Sequence, residues 1–214
     1  MSFTLIKNVK IINENQIFES DILIDGCYIK KISKSISAEN NFNIVEGGGK
    51  YLIPGVIDDQ VHFREPGLTH KANIKSESKS ALAGGVTSFM EMPNTNPQTI
   101  NQDLLNKKID IAKNTSFVNY SFFGGVTNTN YDDVMRFDKT QIPGIKIFMG
   151  SSTGDMLVDN DKILDNLFKN SPFLIATHCE DEQTIKSNIE KYKQIYGEEI
   201  PIDLHPIIRN HHSC

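Results

Sequence analysis

The sequence contains no apolar run approaching the ~20 residues that cross a bilayer as a helix. It also lacks any block of Lys or Arg: 22 basic residues are scattered and outnumbered by 27 acidic ones, a net charge of −5. That balance excludes a basic footprint for nucleic acid or an anionic membrane. The first ten residues, Met1 to Lys10, have no apolar core of the kind a signal peptide carries. Cysteine is scarce. Cys27, Cys179 and Cys214 show no C-x-x-C spacing and cannot all pair within the chain, so free thiols in a reducing cytoplasm are expected. What is present suits a folded protein: with 38% hydrophobic and 23% charged residues, the chain falls among globular rather than disordered sequences. Its 214 residues suffice for one sizeable core, or for one domain and part of another.

Residues 3–52 read as short strands. Apolar clusters at Leu5-Ile6, Val9, Ile11-Ile12, Ile17-Phe18 and Ile22-Leu23-Ile24 alternate with turn signals at Asn13-Glu14-Asn15 and Asp25-Gly26. Gly47-Gly48-Gly49 closes the section, and a small β-sandwich-like module over 1–52 is expected. From residue 53 the rhythm becomes strand, helix, strand. Strands are predicted over 52–63, 86–92, 117–126, 145–149 and 173–178, with helices over 69–83, 101–114, 131–137, 159–170 and 181–196. Alternation of this kind implies parallel strands joined by right-handed crossovers, in a (β/α) barrel or a doubly wound sheet. A full eight-stranded barrel takes about 250 residues, more than the 162 from 53 to 214.

In parallel α/β folds, sites form at the carboxyl ends of the strands. Four predicted strands place polar groups there. Gln60, His62 and Arg64 alternate at the end of the first strand and are expected to share a face. Asn94 follows the second, Lys146 sits in the fourth, and His178 ends the fifth. Neutral imidazoles are good zinc donors. A lysine among apolar neighbours tends toward the neutral amine, which reacts with carbon dioxide to give a carbamate. Arg64 offers a planar fork for a carboxylate, and Asn94 a second hydrogen bond. Competing structural readings are an ion pair of Arg64 with Glu65 or Glu91, turn chemistry for Asn94, and a solvated end for Lys146. His205 reads as loop, and the tail His211-His212-Ser213-Cys214 is not expected to hold a metal.

Together, Pro54-Gly55-Val56-Ile57-Asp58, Val61-His62-Phe63-Arg64-Glu65-Pro66-Gly67, Met92-Pro93-Asn94-Thr95-Asn96-Pro97, Gly144-Ile145-Lys146-Ile147-Phe148-Met149-Gly150 and Ala176-Thr177-His178-Cys179-Glu180 resemble the class I dihydroorotases of the amidohydrolase superfamily. The resemblance runs from about residue 3 to 209. It implies an α/β fold, a partial TIM-like (β/α) barrel of about five of eight units over 53–214, with the small β-sandwich module before it. It further implies a cytoplasmic, zinc-dependent hydrolase of cyclic amides, interconverting N-carbamoyl-L-aspartate and dihydroorotate in pyrimidine synthesis. Carried over, His62 and His178 would bind zinc, Lys146 would bridge as a carbamate, and Arg64 and Asn94 would hold the substrate carboxylate.

Two departures accompany the resemblance. Gln60 stands where the family has the first His of His-x-His, so one metal position holds an amide oxygen, a weaker donor. The family's sixth-strand His and eighth-strand Asp, the general base, fall outside these 214 residues. A truncated, inactive chain is therefore expected, with no catalytic base of its own. The alternatives are a non-catalytic scaffold that self-associates through open strand edges, and a hydantoinase- or allantoinase-like hydrolase.

Overall fold

The computed structural model describes residues 3–150 and 155–213, and the chain divides into two compact units, Met1–Gly55 and Val56–Cys214. In the first, β1 (Phe3–Asn13), β2 (Gln16–Asp25), β3 (Tyr28–Ser33), β4 (Phe42–Glu46) and β5 (Tyr51–Leu52) form one sheet. Its order is β3-β2-β1-β4, with β5 also pairing β1. The described residues of this unit pair into that one sheet.

An irregularity in β1 explains how that sheet buries both faces. Ile6 pairs Ile22 but Val9 pairs Ser20, so β1 spends one residue more than β2 and changes parity. Leu5 then packs with Leu23 and Ile36, whereas Val9 and Ile11 join Ile22 on the other face. Asn8 at the bulge has φ +54, a left-handed backbone that Asn tolerates. The buried carboxylate of Asp21 accepts the Asn8 and Ile36 N–H groups, each at 2.9 Å. These hydrogen bonds, Asn8's foremost, hold the Asp21 carboxyl below its usual range.

The second unit alternates strands and helices. Its strands are β6 (Val56–Val61), β7 (Val86–Glu91), β8 (Asn119–Phe122), β9 (Gly124–Gly125), β10 (Ile145–Phe148) and β11 (Ile175–His178). All pairings among them are parallel, in the orders β6-β7-β8 and β9-β10-β11. The strand expected over 117–126 is split at Phe123, whose N–H bonds to the Glu91 carbonyl. The helices are α1 (Ile74–Ala83), α2 (Gln102–Thr115), α3 (Tyr131–Met135), α4 (Asp161–Asn170), α5 (Glu182–Tyr196) and α6 (His205–Ile208). Four start at side-chain caps: Asn73, Asn101, Asn160 and Asp181 each accept an N–H of the first turn. The helix expected from residue 69 thus begins five residues later, at the Asn73 cap. Residues read as loop around His205 form the short α6.

Ile145 and Ile147 are fully buried in a core shared with Phe89, Phe122, Leu105 and Leu167. The alternate residues of β10, Lys146 and Phe148, are thereby turned to the other side of the sheet. No helix among the described residues is long and apolar enough to cross a membrane.

Candidate active site

β6 ends at Val61, and the next three residues carry the chain over the carboxyl ends of the strands. His62 Nδ1 lies 2.8 Å from Asn94 Oδ1, joining the loop after β6 to the loop after β7. An amide oxygen only accepts, so Nδ1 carries the proton and Nε2 keeps its lone pair. Burial, and then the charge of Arg64, hold the ring below its ordinary pKa of 6.5, which favours the neutral, ligand-competent form. With its oxygen engaged, Asn94 retains its NH2 group as a donor, and none of the described residues accepts from it.

The expected alternation of Gln60, His62 and Arg64 fails at Arg64, whose φ of +69 takes it out of extended conformation. Its backbone is tied at both polar groups. The N–H donates to Glu91 Oε1 at 2.9 Å, and the carbonyl accepts Leu68 N–H at 3.0 Å. Its guanidinium has no hydrogen bond or ion pair among the described residues, with Glu65 or Glu91 or otherwise. Glu65 instead accepts the Ile74 N–H at 2.8 Å. Glu91 faces Lys108 Nζ at 3.1 Å, with both side chains buried. Burial pushes Glu91 up and Lys108 down, and each opposes the other's shift.

The two loops are packed so closely that only glycine fits at one point. Gly67 has φ +82, and a Cβ there would run into the Asn96 carbonyl. Asn96 N–H donates to the Pro66 carbonyl at 3.0 Å, completing the contact. The loop carrying Arg64 and the loop carrying Asn94 therefore behave as one piece.

Lys146 is 3% exposed. Its ammonium has no carboxylate or hydrogen-bond partner among the described residues, and its one ring contact is Phe148 at 5.1 Å. Burial lowers its pKa below 10.5, toward the neutral amine that forms carbamates. In the register of β10 and β11, Lys146 opposes Ala176 and Phe148 opposes His178. His178 therefore stands one strand over and one layer further toward the mouth. Its ring is half-exposed, with Nε2 3.2 Å from Glu180, whose carboxylate is bound by Arg209. Gln60 is exposed, and no hydrogen bond links its side chain to His62, Lys146 or His178 among the described residues.

Two imidazoles, that of His62 held toward its neutral form by burial, and a buried, unpartnered lysine suit a zinc site built around a carbamate. No three His, Cys, Asp or Glu side chains gather as a metal site among the described residues. Any site here thus depends on Lys146 or on ligands from elsewhere. Sequence reading missed the structural parts of the arrangement. Lys108 carried a signal: it falls on the stripe Leu105, Lys108, Ala112 that α2 buries, where a lysine needs a partner. Glu180 and Arg209 carried none, because their 29-residue separation hides the contact.

The family model described as dihydro-orotase-like matches residues 49–194. A dihydroorotase of Methanosarcina acetivorans is 31% identical over 207 residues, which is 95% of this chain and 43% of that protein. An allantoinase of Salmonella choleraesuis is 33% identical over 163 residues, 75% of this chain and 35% of that one. Among solved structures, the L-hydantoinase (dihydropyrimidinase) of Arthrobacter aurescens superposes with a TM-score of 0.91 at 25% identity, over 98% of this chain and 47% of its own. The chain spans less than half the length of the relatives it matches. It belongs to the dihydro-orotase-like family of the amidohydrolases.

Proposed function

We propose that the chain forms one wall of the active site of a zinc-dependent cyclic amide hydrolase whose substrate pair is dihydroorotate and N-carbamoyl-L-aspartate. The observation that carries the substrate is the unpartnered guanidinium of Arg64 and the free amide of Asn94 on two loops that pack against each other. Both donate, and a carboxylate accepts two parallel hydrogen bonds from such a fork. Dihydroorotate has a carboxylate; hydantoin and allantoin have none. The hydantoinase and allantoinase relatives keep a second reading in view, a neutral cyclic amide at the same mouth.

His62, His178 and a carboxylated Lys146 would hold one or two zinc ions, with Gln60 adding a weaker oxygen donor. Zinc supplies Lewis-acid polarisation of the ring amide carbonyl. The chain's own work is positioning. Asn94 fixes the tautomer of His62, Glu180 orients His178, and Arg64 anchors the substrate's carboxylate away from the scissile bond. A general base is not among the proposed groups, so these 214 residues alone bind without turnover.

The test maps amide chemical shifts in the zinc-loaded chain on titration with N-carbamoyl-L-aspartate, hydantoin and allantoin. N-carbamoyl-L-aspartate is expected to move Arg64 and Asn94, and the other two to leave them unmoved. Shifts produced by allantoin alone would transfer the assignment to the second reading. Hydrolysis of dihydroorotate by the chain itself would overturn the need for further groups.

A further inference from the structure

Beneath Arg64 lies a buried ion pair that takes no direct part in the proposed chemistry. Glu91, at the end of β7, and Lys108, on α2, are 0% and 1% exposed at their side chains. One carboxylate oxygen accepts the Arg64 N–H at 2.9 Å, and the other faces Lys108 Nζ at 3.1 Å. Lys108 Nζ also donates to the Met92 carbonyl at 3.1 Å and lies 5.1 Å from the centre of the Phe122 ring. As a source of stability such a pair gains little over apolar residues of the same volume, because both charges are desolvated. Its geometry serves another end. Arg64 is a residue with a Cβ held at φ +69, a conformation that crowds Cβ against the carbonyl oxygen and persists only where other contacts offset it.

We propose that Glu91 and Lys108 are positioning residues for Arg64: Glu91 fixes its left-handed backbone through the amide, and Lys108 holds the carboxylate so that the guanidinium stays unpaired at the mouth. The inference rests on the reading of Arg64 as a carboxylate clamp. Glu91 already lies within hydrogen-bond reach of the Arg64 backbone, so a Glu91 freed from Lys108 could fold the guanidinium back onto itself. Lys108 occupies the carboxylate from the opposite side. The guanidinium of Arg64 is then left available to an anionic ligand.

The test compares the whole chain with two double variants that leave no buried charge unpaired. Glu91→Gln with Lys108→Met keeps an acceptor oxygen for the Arg64 amide; Glu91→Leu with Lys108→Met removes it. Hydrogen exchange at the Arg64 amide reads the anchor. Phenylglyoxal labelling reads the guanidinium, with the exposed Arg136 and the paired Arg209, the other arginines in the sequence, as internal references. The Arg64 amide is expected to be protected in the native chain and in the Gln variant. Exchange should be roughly ten- to a hundredfold faster in the Leu variant, the worth of a hydrogen bond to a charged acceptor. N-carbamoyl-L-aspartate should slow labelling of Arg64 in the first two proteins and not in the third.

Unprotected exchange of Arg64 in the native chain overturns the proposal without recourse to any variant, as does native-like protection in the Leu variant. The conservative Gln rescue separates positioning from a merely structural role. If the exchange pattern holds while N-carbamoyl-L-aspartate protects Arg64 in none of the proteins, the anchor stands and the substrate reading falls.

Discussion

Replacing Lys108 by Met should destabilise the second unit far more than the loss of one surface charge would. Met fills most of the volume of the lysine stem, so little cavity opens around Leu105 and Ala112. What is lost is the partner of Glu91, a carboxylate with no exposure, and a hydrogen bond to the Met92 carbonyl. Removing one member of a buried pair costs about 3–5 kcal/mol, because the remaining charge is stranded. Removing both, with Glu91→Leu, should recover most of that, leaving a deficit of about 1–2 kcal/mol for the lost Arg64 contact.

The sign of the pH dependence follows from Glu91. Burial raises its folded pKa above the unfolded value of 4.5, and Lys108 opposes that rise. Without Lys108 the rise is larger. Stability attached to a raised carboxyl is fully present below the unfolded pKa and is lost as pH rises through the folded one. The single variant should therefore be closest to native in mild acid and fall behind toward neutrality. Urea unfolding followed by circular dichroism suits a chain without tryptophan. A single-variant cost below about 1 kcal/mol, or a double variant no better than the single, would refute the reasoning.

In the first unit, Asp21→Ala should cost about 3 kcal/mol, since two backbone N–H groups lose a charged acceptor. The lowered pKa of Asp21 places the associated stability above its unfolded value of 3.8, to be lost as pH falls through the folded value. An acid titration of this unit's unfolding in native and Asp21→Asn chains checks it. Gly67→Ala should cost at least about 1–2 kcal/mol from its left-handed backbone alone. It should also separate the loops that carry His62 and Asn94, read as loss of the His62 Nδ1 proton signal by NMR. β6 and β11 each have one unpaired edge among the described strands, and such edges drive association. Sedimentation should then show self-association that rises with concentration.

The order of strands and helices was legible because hydrophobic period and cap residues coincide: Asn101 and Asp181 mark the starts of α2 and α5 within a residue of expectation. The parity change in β1 was not legible. Alternation puts Leu5, Val9 and Ile11 on one face, and a single extra residue at the Asn8 bulge separates them. The same weakness produced the error at Arg64. An alternating run continues on paper through residue 64, but the strand ends at Val61 and the backbone turns left-handed. Side chains such as His62, Asn94 and Lys146 could be placed at the carboxyl ends of strands from topology alone. What each one touches could not. The Glu91–Lys108 pair, which spans β7 and α2, appears only once the helix has packed on the sheet.

The central claim, that this mouth selects a carboxylate through Arg64, is tested most directly by calorimetric titration of N-carbamoyl-L-aspartate into the zinc-loaded chain and its Arg64→Ala variant. Losing a charge-assisted fork should weaken binding by at least about tenfold, or ~1.4 kcal/mol, with hydantoin binding unchanged between the two proteins. Equal affinity for N-carbamoyl-L-aspartate in both would contradict it.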